Sequence, residues 1–405
     1  MIIGAGHAGG RAAERLRHYG CDKKITLIGR ESLAPYERPP LSKGVLLQPD
    51  SEAEISLLET DWFEQNNVEL LTGAEVEEID LDARYVRRPE CADLPFQKLI
   101  IATGGRVRRI NVPGADLENV FFLRTIKDAL ALRNALKEKT RLVVIGGGFI
   151  GLEVAASART LGADVTIVEA TSQLMGRATP QVVGDLFHDI HTQNGVKIVI
   201  GRGVERIIGK GIVESVVLDN GDTIPADIVV VGIGIVPETK LAEQAGLDVN
   251  NGILVDRFCQ TSATDVFAIG DVTCQTDDAT GHRFRLESWQ NAEIQAACAA
   301  ARIVGQDPPE KDASWFWSDQ YDINLQIVGR PPDWKDLLVR GTPHDGPLMM
   351  FKVEGGRVLG AIGINAKRDM MLMRKLMAAD KPINTEPLLN PETQLKKLVL
   401  NALKA

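Results

Sequence analysis

The feature that most constrains this chain is a turn that occurs twice. Gly4-Ala5-Gly6-His7-Ala8-Gly9 follows a short apolar run and leads into RAAERLRHYG, after which KKITLIG reads as a β-branched strand. Gly146-Gly147-Gly148-Phe149-Ile150-Gly151 follows Arg141-LVVI, leads into LEVAASARTLG and is succeeded by ADVTIVE. Strand, glycine turn, helix, strand is the order of a dinucleotide-binding βαβ unit. Its first glycine permits the tight turn, its second lets backbone approach a pyrophosphate, and its third lets helix and strand pack closely. The helix N-terminus offers unpaired N–H groups to the phosphates. One such run is a weak signal. Two copies, about 140 residues apart and each in full context, predict an α/β chain with two Rossmann-like domains.

The two copies differ at the end of their second strands. Glu169 closes ADVTIVE, about twenty residues beyond its glycine turn, where an acid accepts from the ribose hydroxyls of an adenosine. A carboxylate there repels a 2′-phosphate, and Ala170 and Thr171 supply no arginine to reverse that; Arg177 is the nearest cation downstream. The reading favours NADH over NADPH. In the first copy Gly29 stands where Glu169 stands in the second, and the nearest acid is Glu31, next to Arg30. A third run, Thr264-Asp265-Val266-Phe267-Ala268-Ile269-Gly270-Asp271, is β-rich and ends in an acid able to accept from a polyol hydroxyl, ahead of an alanine-rich helix from Glu287 to Val304. Lys98-LIIATGG is a further buried strand ending in glycines.

At 405 residues the chain is long enough for two or three domains. A net charge of −9 excludes wholesale binding to nucleic acid or anionic lipid, while leaving room for local basic patches. Cys21, Cys91, Cys259, Cys274 and Cys298 are scattered without CxxC or metal-ligand spacing, which points to a reducing compartment and no disulfide framework. No apolar run reaches transmembrane length and no signal peptide is evident, so the expected location is cytoplasmic. Met1-Ile2-Ile3 leaves the first strand very short, as though an upstream stretch were missing.

In order along the chain stand GAGHAG, PYERPPLSK, LIIATG, GGGFIGLE, VGIGIVPET, VFAIGD, LESWQNA and WFWSDQY. With these motifs the sequence resembles the flavoprotein pyridine-nucleotide oxidoreductases, and within them the oxygenase-coupled NADH-dependent ferredoxin reductases. The resemblance implies a glutathione-reductase-like fold. An FAD domain would span 1–106 and 236–311, an NAD domain 107–235, and a C-terminal α+β domain 312–405. On the FAD side it implies Gly4, Gly6, Ala8 and Gly9 at the pyrophosphate, Glu31 at the adenosine ribose, and Asp271 with Gly270 at the ribityl oxygens. Arg38, Lys43 and Arg124 would make flavin-side or phosphate contacts, with Val76 and Ala102 also lining the cofactor. On the NAD side it implies Gly146, Gly148, Phe149, Ile150, Gly151, Glu169, Arg177, Gly232 and Gly234.

The resemblance also explains LAPYERPPLSK, residues 33–43. Proline fixes φ and restricts the residue before it, so the run holds Lys43 still. The family places this lysine beside the flavin N5 edge, paired with Glu153, where a cation stabilises negative charge on the reduced ring. Glu153 would also accept from the nicotinamide carboxamide. Composition alone reads Lys43 as a surface lysine after a proline turn. Trp289 matches an aromatic residue near the flavin in part of the family; on an alanine-rich helix it reads equally as core. Trp315 and Trp317 read as packing of the last domain, with lining of the nicotinamide face as the alternative.

The implied activity is FAD-dependent ferredoxin–NAD(+) reduction: hydride from NADH to flavin, then electrons one at a time to an acidic two-iron ferredoxin that supplies a haem-thiolate or Rieske-type oxygenase. No cysteine lies between Cys21 and Cys91, so the dithiol relay of the disulfide reductases has no place here. An acidic reductase needs a local basic surface to dock an acidic ferredoxin; the candidates are Arg106, Arg108, Arg109, Arg283, Arg285, Arg302 and Lys311. Alternatives are a rubredoxin reductase, an NADH oxidase or peroxidase (whose flavin-side cysteine is absent), and an NADH-binding interaction protein like the apoptosis-linked flavoproteins.

Overall fold

The computed structural model describes residues 1–59, 61–276, 281–310, 312–343 and 345–404. It divides into two compact units. One comprises Met1–Pro39, Ser51–Arg106 and Ile235–Glu310; the other comprises Pro40–Asp50, Val107–Gly234 and Lys311–Ala405.

The first unit is built on a five-stranded sheet, all parallel, ordered Val266–Ala268, Leu99–Ile101, Ile2–Ile3, Ile25–Ile28, Val68–Leu71. Its inner strands read ITLI and LII without polar alternation, as expected for strands covered on both faces. On one face the helices His7–His18 and Trp289–Val304 pack against each other. Ala8, Ala12, Ala13, Ala292, Ala296, Ala299 and Ala300 are buried there, and their small side chains let the backbones approach closely. The other face is covered by a second cluster that includes Val76, Ile79, Val86 and Phe96. Burying Leu99, Ile100 and Ile101 completely contributes about 1.5–3 kcal/mol each.

The second unit contains two five-stranded sheets and a smaller antiparallel one formed by Val204–Gly209, Val213–Leu218 and Thr223–Pro225. The first is again five-stranded and parallel, ordered Lys197–Ile200, Asp164–Glu169, Arg141–Ile145, Ile228–Val231, Val120–Phe122. The second is antiparallel, ordered Trp315–Gln320, Ile323–Gly329, Arg357–Ile364, Asp345–Glu354, Leu338–Thr342. Helix Lys367–Ala378 closes one side of it, burying Met370, Met373 and Leu376 with Val328 and Phe351. Strand Trp315–Gln320 lies against helix Phe149–Thr160, the helix that follows the second glycine turn. Among the described residues no helix is long and apolar enough to cross a membrane.

Candidate functional site

In the first unit the glycine turn links Ile2–Ile3 to helix His7–His18, with Gly4 N donating to Ile28 O at 2.8 Å. Gly4 has φ +107°, and a Cβ there would lie 2.2 Å from the Ala102 carbonyl oxygen, so only glycine serves. A Cβ on Gly9 would lie 1.9 Å from the Gly4 carbonyl oxygen. Gly6 is different: a Cβ there would meet only Arg38 Nη2, at 3.8 Å. The turn therefore keeps open the space its own N-terminal N–H groups face, which fits a pyrophosphate.

The second unit repeats this geometry. Gly146 N donates to Val168 O at 2.8 Å, and Gly146 has φ +108°. A Cβ on Gly151 would lie 2.1 Å from the Gly146 carbonyl oxygen, whereas one on Gly148 would meet nothing within 4 Å. Gly232 packs against Gly151, and the Arg177 guanidinium lies beside Gly234, so these sequence-predicted positions gather around one turn. Glu169 ends its strand with both oxygens engaged. Oε2 accepts from Gly147 N at 2.6 Å; Oε1 accepts from Thr171 N and Thr171 Oγ1, each at 2.7 Å. Phe149 meets Phe316 with ring centroids 4.5 Å apart, and Ile150 is exposed.

Glu153 lies one helical turn beyond Phe149 and is 2 % exposed. Its Oε2 accepts from Ser42 Oγ at 2.5 Å and pairs with Lys43 Nζ at 2.7 Å, while Oε1 accepts from Ser318 Oγ at 2.7 Å. Lys43 N donates to Pro40 O, which closes the turn that the prolines begin, and Ser157 Oγ holds the Ser42 carbonyl at 2.8 Å. A buried charge persists only with such compensation. Periodicity explains the assembly. Phe149, Glu153 and Ser157 recur every fourth residue on one helix face, while Phe316, Ser318 and Gln320 alternate onto one face of their strand.

The remaining predicted positions fall as follows. In the first unit Glu31 Oε1 accepts from Arg38 Nη2 at 2.7 Å and Oε2 from Tyr36 Oη at 2.5 Å. Burial opposes the charge on Arg38, but Tyr36, Glu31 and Asp271 outweigh it and raise its pKa above the ordinary value. Gly270 N donates to Gln295 Oε1 at 2.6 Å, which fixes the backbone ahead of Asp271. Ala102 and Val76 are both buried, in the two different clusters flanking the sheet. Trp289 begins its helix beside the turn, its ring 5.2 Å from that of His7. Arg124, in the second unit, precedes a capping box in which Thr125 and Asp128 exchange hydrogen bonds.

The described arginines of the expected basic surface divide between the units. Arg106, Arg283, Arg285 and Arg302 belong to the first, and Arg108 and Arg109 to the second. Several are engaged locally: Arg106 with Glu238, Arg285 with Glu287, Arg109 over Phe122 and Arg302 over Phe258. Lys311 lies outside the described residues. The five cysteines are unbridged, and burial pushes Cys298 up to about 11.

Sequence reasoning missed Ser42, Ser157, Ser318 and Gln320. Three stand inside quoted motifs, Ser42 in PPLSK and Ser318 and Gln320 in WFWSDQY, whose signal was taken from the prolines, the lysine and the tryptophans. The alternation of WFWSDQ was the available signal, since it sets Phe, Ser and Gln on one face.

Two family models match the chain: pyridine nucleotide-disulphide oxidoreductase over residues 1–296 and reductase C-terminal over residues 315–399. The chain is 42% identical to the anthranilate 1,2-dioxygenase system ferredoxin–NAD(+) reductase component of Burkholderia cepacia, covering 98% of each. It is 40% identical to rhodocoxin reductase of Rhodococcus erythropolis, over 98% of this chain and 93% of that one. A chain in the crystal structure of the covalent putidaredoxin reductase–putidaredoxin complex superposes with a TM-score of 0.96 at 33% identity, covering 99% of this chain and 98% of that one. Two phosphate-fitting glycine turns, each closing a parallel sheet, and full-length likeness to named reductases lead to one conclusion: the chain belongs to the pyridine nucleotide-disulphide oxidoreductase family.

Proposed function

We infer that the protein is an FAD-containing NADH:ferredoxin oxidoreductase, delivering electrons from NADH to a two-iron ferredoxin of an oxygenase system. The observation that carries this reading is the paired turn geometry, with the space beyond Gly6 and Gly148 kept clear in one chain. The printed activities of the relatives supply the acceptor class. When bound, the flavin supplies a two-electron acceptor able to release its electrons singly.

The residues of the first turn, Gly4, Gly6 and Gly9, cradle the FAD pyrophosphate, with Arg38 and Asp271 as further contacts. Those of the second, Gly146, Gly148 and Gly151, cradle NADH. Glu169 accepts from the ribose hydroxyls and repels a 2′-phosphate, which selects NADH over NADPH. Lys43, held by Glu153 and the proline turn, places a preorganised positive charge at the reacting rings. A stationary cation loses little on reaction, because its orientation is already fixed by folding. Trp289 flanks the flavin side of the first turn. In this reading the domains are 1–106 with 236–311, 107–235 and 312–405, and a basic surface drawn from the arginines above receives an acidic ferredoxin. The unbridged cysteines suit a reducing cytoplasm. No cysteine stands between residues 22 and 90, so the reading has no dithiol relay at the position of the proline-rich run.

The test is steady-state reduction of candidate two-iron ferredoxins by the purified, flavin-loaded protein with NADH and with NADPH. Rapid ferredoxin reduction by NADH alone is expected. A protein that takes up no flavin, or that reduces rubredoxin and no ferredoxin, refutes the assignment.

A further inference from the structure

Beyond Glu153 the buried hydrogen bonds continue into a chain that no motif announces. Ser318 Oγ, which contacts Glu153 Oε1, is 3.1 Å from Gln320 Nε2. Gln320 Oε1 is 2.8 Å from His191 Nε2, and the Tyr321 hydroxyl is 3.4 Å from His191 Nδ1. Ser318 and His191 are 0 % exposed and Gln320 1 %. Four successive polar groups thus run from a carboxylate to an imidazole without access to water.

The direction of such a chain follows from donor chemistry. An ionised carboxylate only accepts, so Ser318 must spend its one O–H on Glu153. Its oxygen can then only accept from Gln320, which turns the amide N–H₂ toward Ser318 and the amide oxygen toward His191. A carbonyl oxygen only accepts as well, so His191 Nε2 must carry a proton. Burial pushes the His191 pKa down, with the charge of His188 on the same helix adding to the effect, although the Gln320 bond opposes both. The imidazole is therefore neutral, and Nδ1 is left as an acceptor facing Tyr321. The phenol remains a donor, since burial raises its pKa to about 12 against the opposing charge of Arg159. Every hydrogen bond points toward Glu153.

We propose that His191 and Gln320 are positioning residues for the Glu153–Lys43 pair, joined to it by a one-way hydrogen-bond chain in which the carboxylate sets the tautomer of the histidine. Glu153 is clamped on Oε1 by this chain and on Oε2 by Ser42 and Lys43, so the carboxylate plane cannot rotate without breaking buried bonds. An unmade bond in such a network costs more than an exposed one. The catalytic consequence rests on the assignment of Lys43 and Glu153 to hydride transfer; the tautomer does not.

The experiment is nitrogen-15 NMR of flavin-loaded protein labelled at histidine, with the His191 signals assigned through His191→Asn. The expected result is a neutral imidazole protonated on Nε2 through the neutral pH range. In Glu153→Gln the new amide can donate to Ser318, which reverses the chain, so the His191 proton moves to Nδ1. In Gln320→Leu the connection is cut, and adding Glu153→Gln no longer changes the imidazole. A wild-type imidazole protonated on Nδ1 or charged, or a tautomer indifferent to Glu153→Gln, overturns the proposal. Rapid mixing of Gln320→Leu with NADH should show flavin reduction slowed on the order of tenfold with NADH affinity unchanged. Unchanged reduction in Gln320→Leu refutes the positioning role. Unchanged reduction in Lys43→Ala instead refutes the assignment of the pair, whatever the tautomer shows.

Discussion

Gly148→Ala separates folding from binding more cleanly than any other single change at the second turn. Gly148 has φ −80° and ψ 178°, a conformation alanine adopts without strain, and the new methyl would meet no atom within 4 Å. Glycine is preferred over alanine at a helix N-cap, while alanine restricts the unfolded chain. These effects oppose each other, so stability should change by no more than about 1 kcal/mol. The methyl does, however, fill the space where a pyrophosphate would touch backbone. Overpacking by one methyl costs about 1–3 kcal/mol, or a loss of roughly 5- to 150-fold in NADH affinity at 1.4 kcal/mol per decade. Gly151→Ala is the contrast: its methyl would sit 2.1 Å from the Gly146 carbonyl oxygen, so stability itself should fall. The assays are thermal unfolding, flavin content, and the NADH concentration dependence of flavin bleaching. A Gly148→Ala protein that keeps its flavin, its melting temperature and its wild-type NADH dependence would show that no dinucleotide lies on this turn.

Three other outcomes are expected. Glu169→Ala should relax the preference for NADH over NADPH by at least about tenfold, since each hydrogen bond to a charged group contributes about 1.5–3 kcal/mol; the ratio of kcat/KM for the two cofactors measures it, and an unchanged ratio removes the ribose argument. Lys43→Ala should slow flavin reduction on the order of a hundredfold with NADH affinity nearly intact, as removal of one preorganised electrostatic group does; single-turnover traces report both. Burial would raise the Glu293 pKa, but the His7 hydrogen bond and the Arg11 charge outweigh it and hold it below the usual carboxylate range. A carboxylate depressed in the folded state stabilises fully above its unfolded pKa and loses that contribution as pH falls through the folded value. Glu293→Gln should therefore lower the melting temperature at neutral pH and narrow the gap to wild type under strong acid, and a gap that widens on acidification would contradict the sign.

The parallel sheets were legible because their signal is local. A β-branched run, a glycine turn and an amphipathic helix lie within about thirty residues, and each glycine has a steric reason visible in its own motif. The surroundings of Glu153 were less legible because they are assembled from four stretches of chain: Ser42 and Lys43, the Phe149–Thr160 helix, His191, and Gln320 with its neighbours. No single window shows that the polar alternation of one strand meets a four-residue stripe of a distant helix. Lys43 and Glu153 were found through family likeness, while Ser318 and Gln320 passed unnoticed inside a motif chosen for its aromatics. Glu31 was the opposite case, visible in the sequence as the nearest acid to a strand end that carries glycine. Its two oxygens are both committed to neighbours seven or fewer residues away, Arg38 and Tyr36.

The twin turns differ in which neighbour limits the residue at the strand end. In the first turn Ala5 carries a methyl, and a Cβ on the facing Gly29 would fall 2.4 Å from it. No larger residue can stand at the end of that strand, so an acid there is excluded by packing before any ligand is considered. In the second turn the position matching Ala5 is Gly147, where a Cβ would meet Leu174 Cδ2 at 2.5 Å and the Glu169 Cβ at 3.2 Å. Gly147 N also donates to Glu169 Oε2 at 2.6 Å, so the turn itself anchors the acid. In the first turn an acid at position 29 therefore requires glycine at position 5. The double exchange Ala5→Gly with Gly29→Glu should be tolerated where Gly29→Glu alone is not, and comparing the soluble yield and melting temperature of the two variants decides it. Equal destabilisation in both would mean that the strand end, not the facing methyl, excludes the acid.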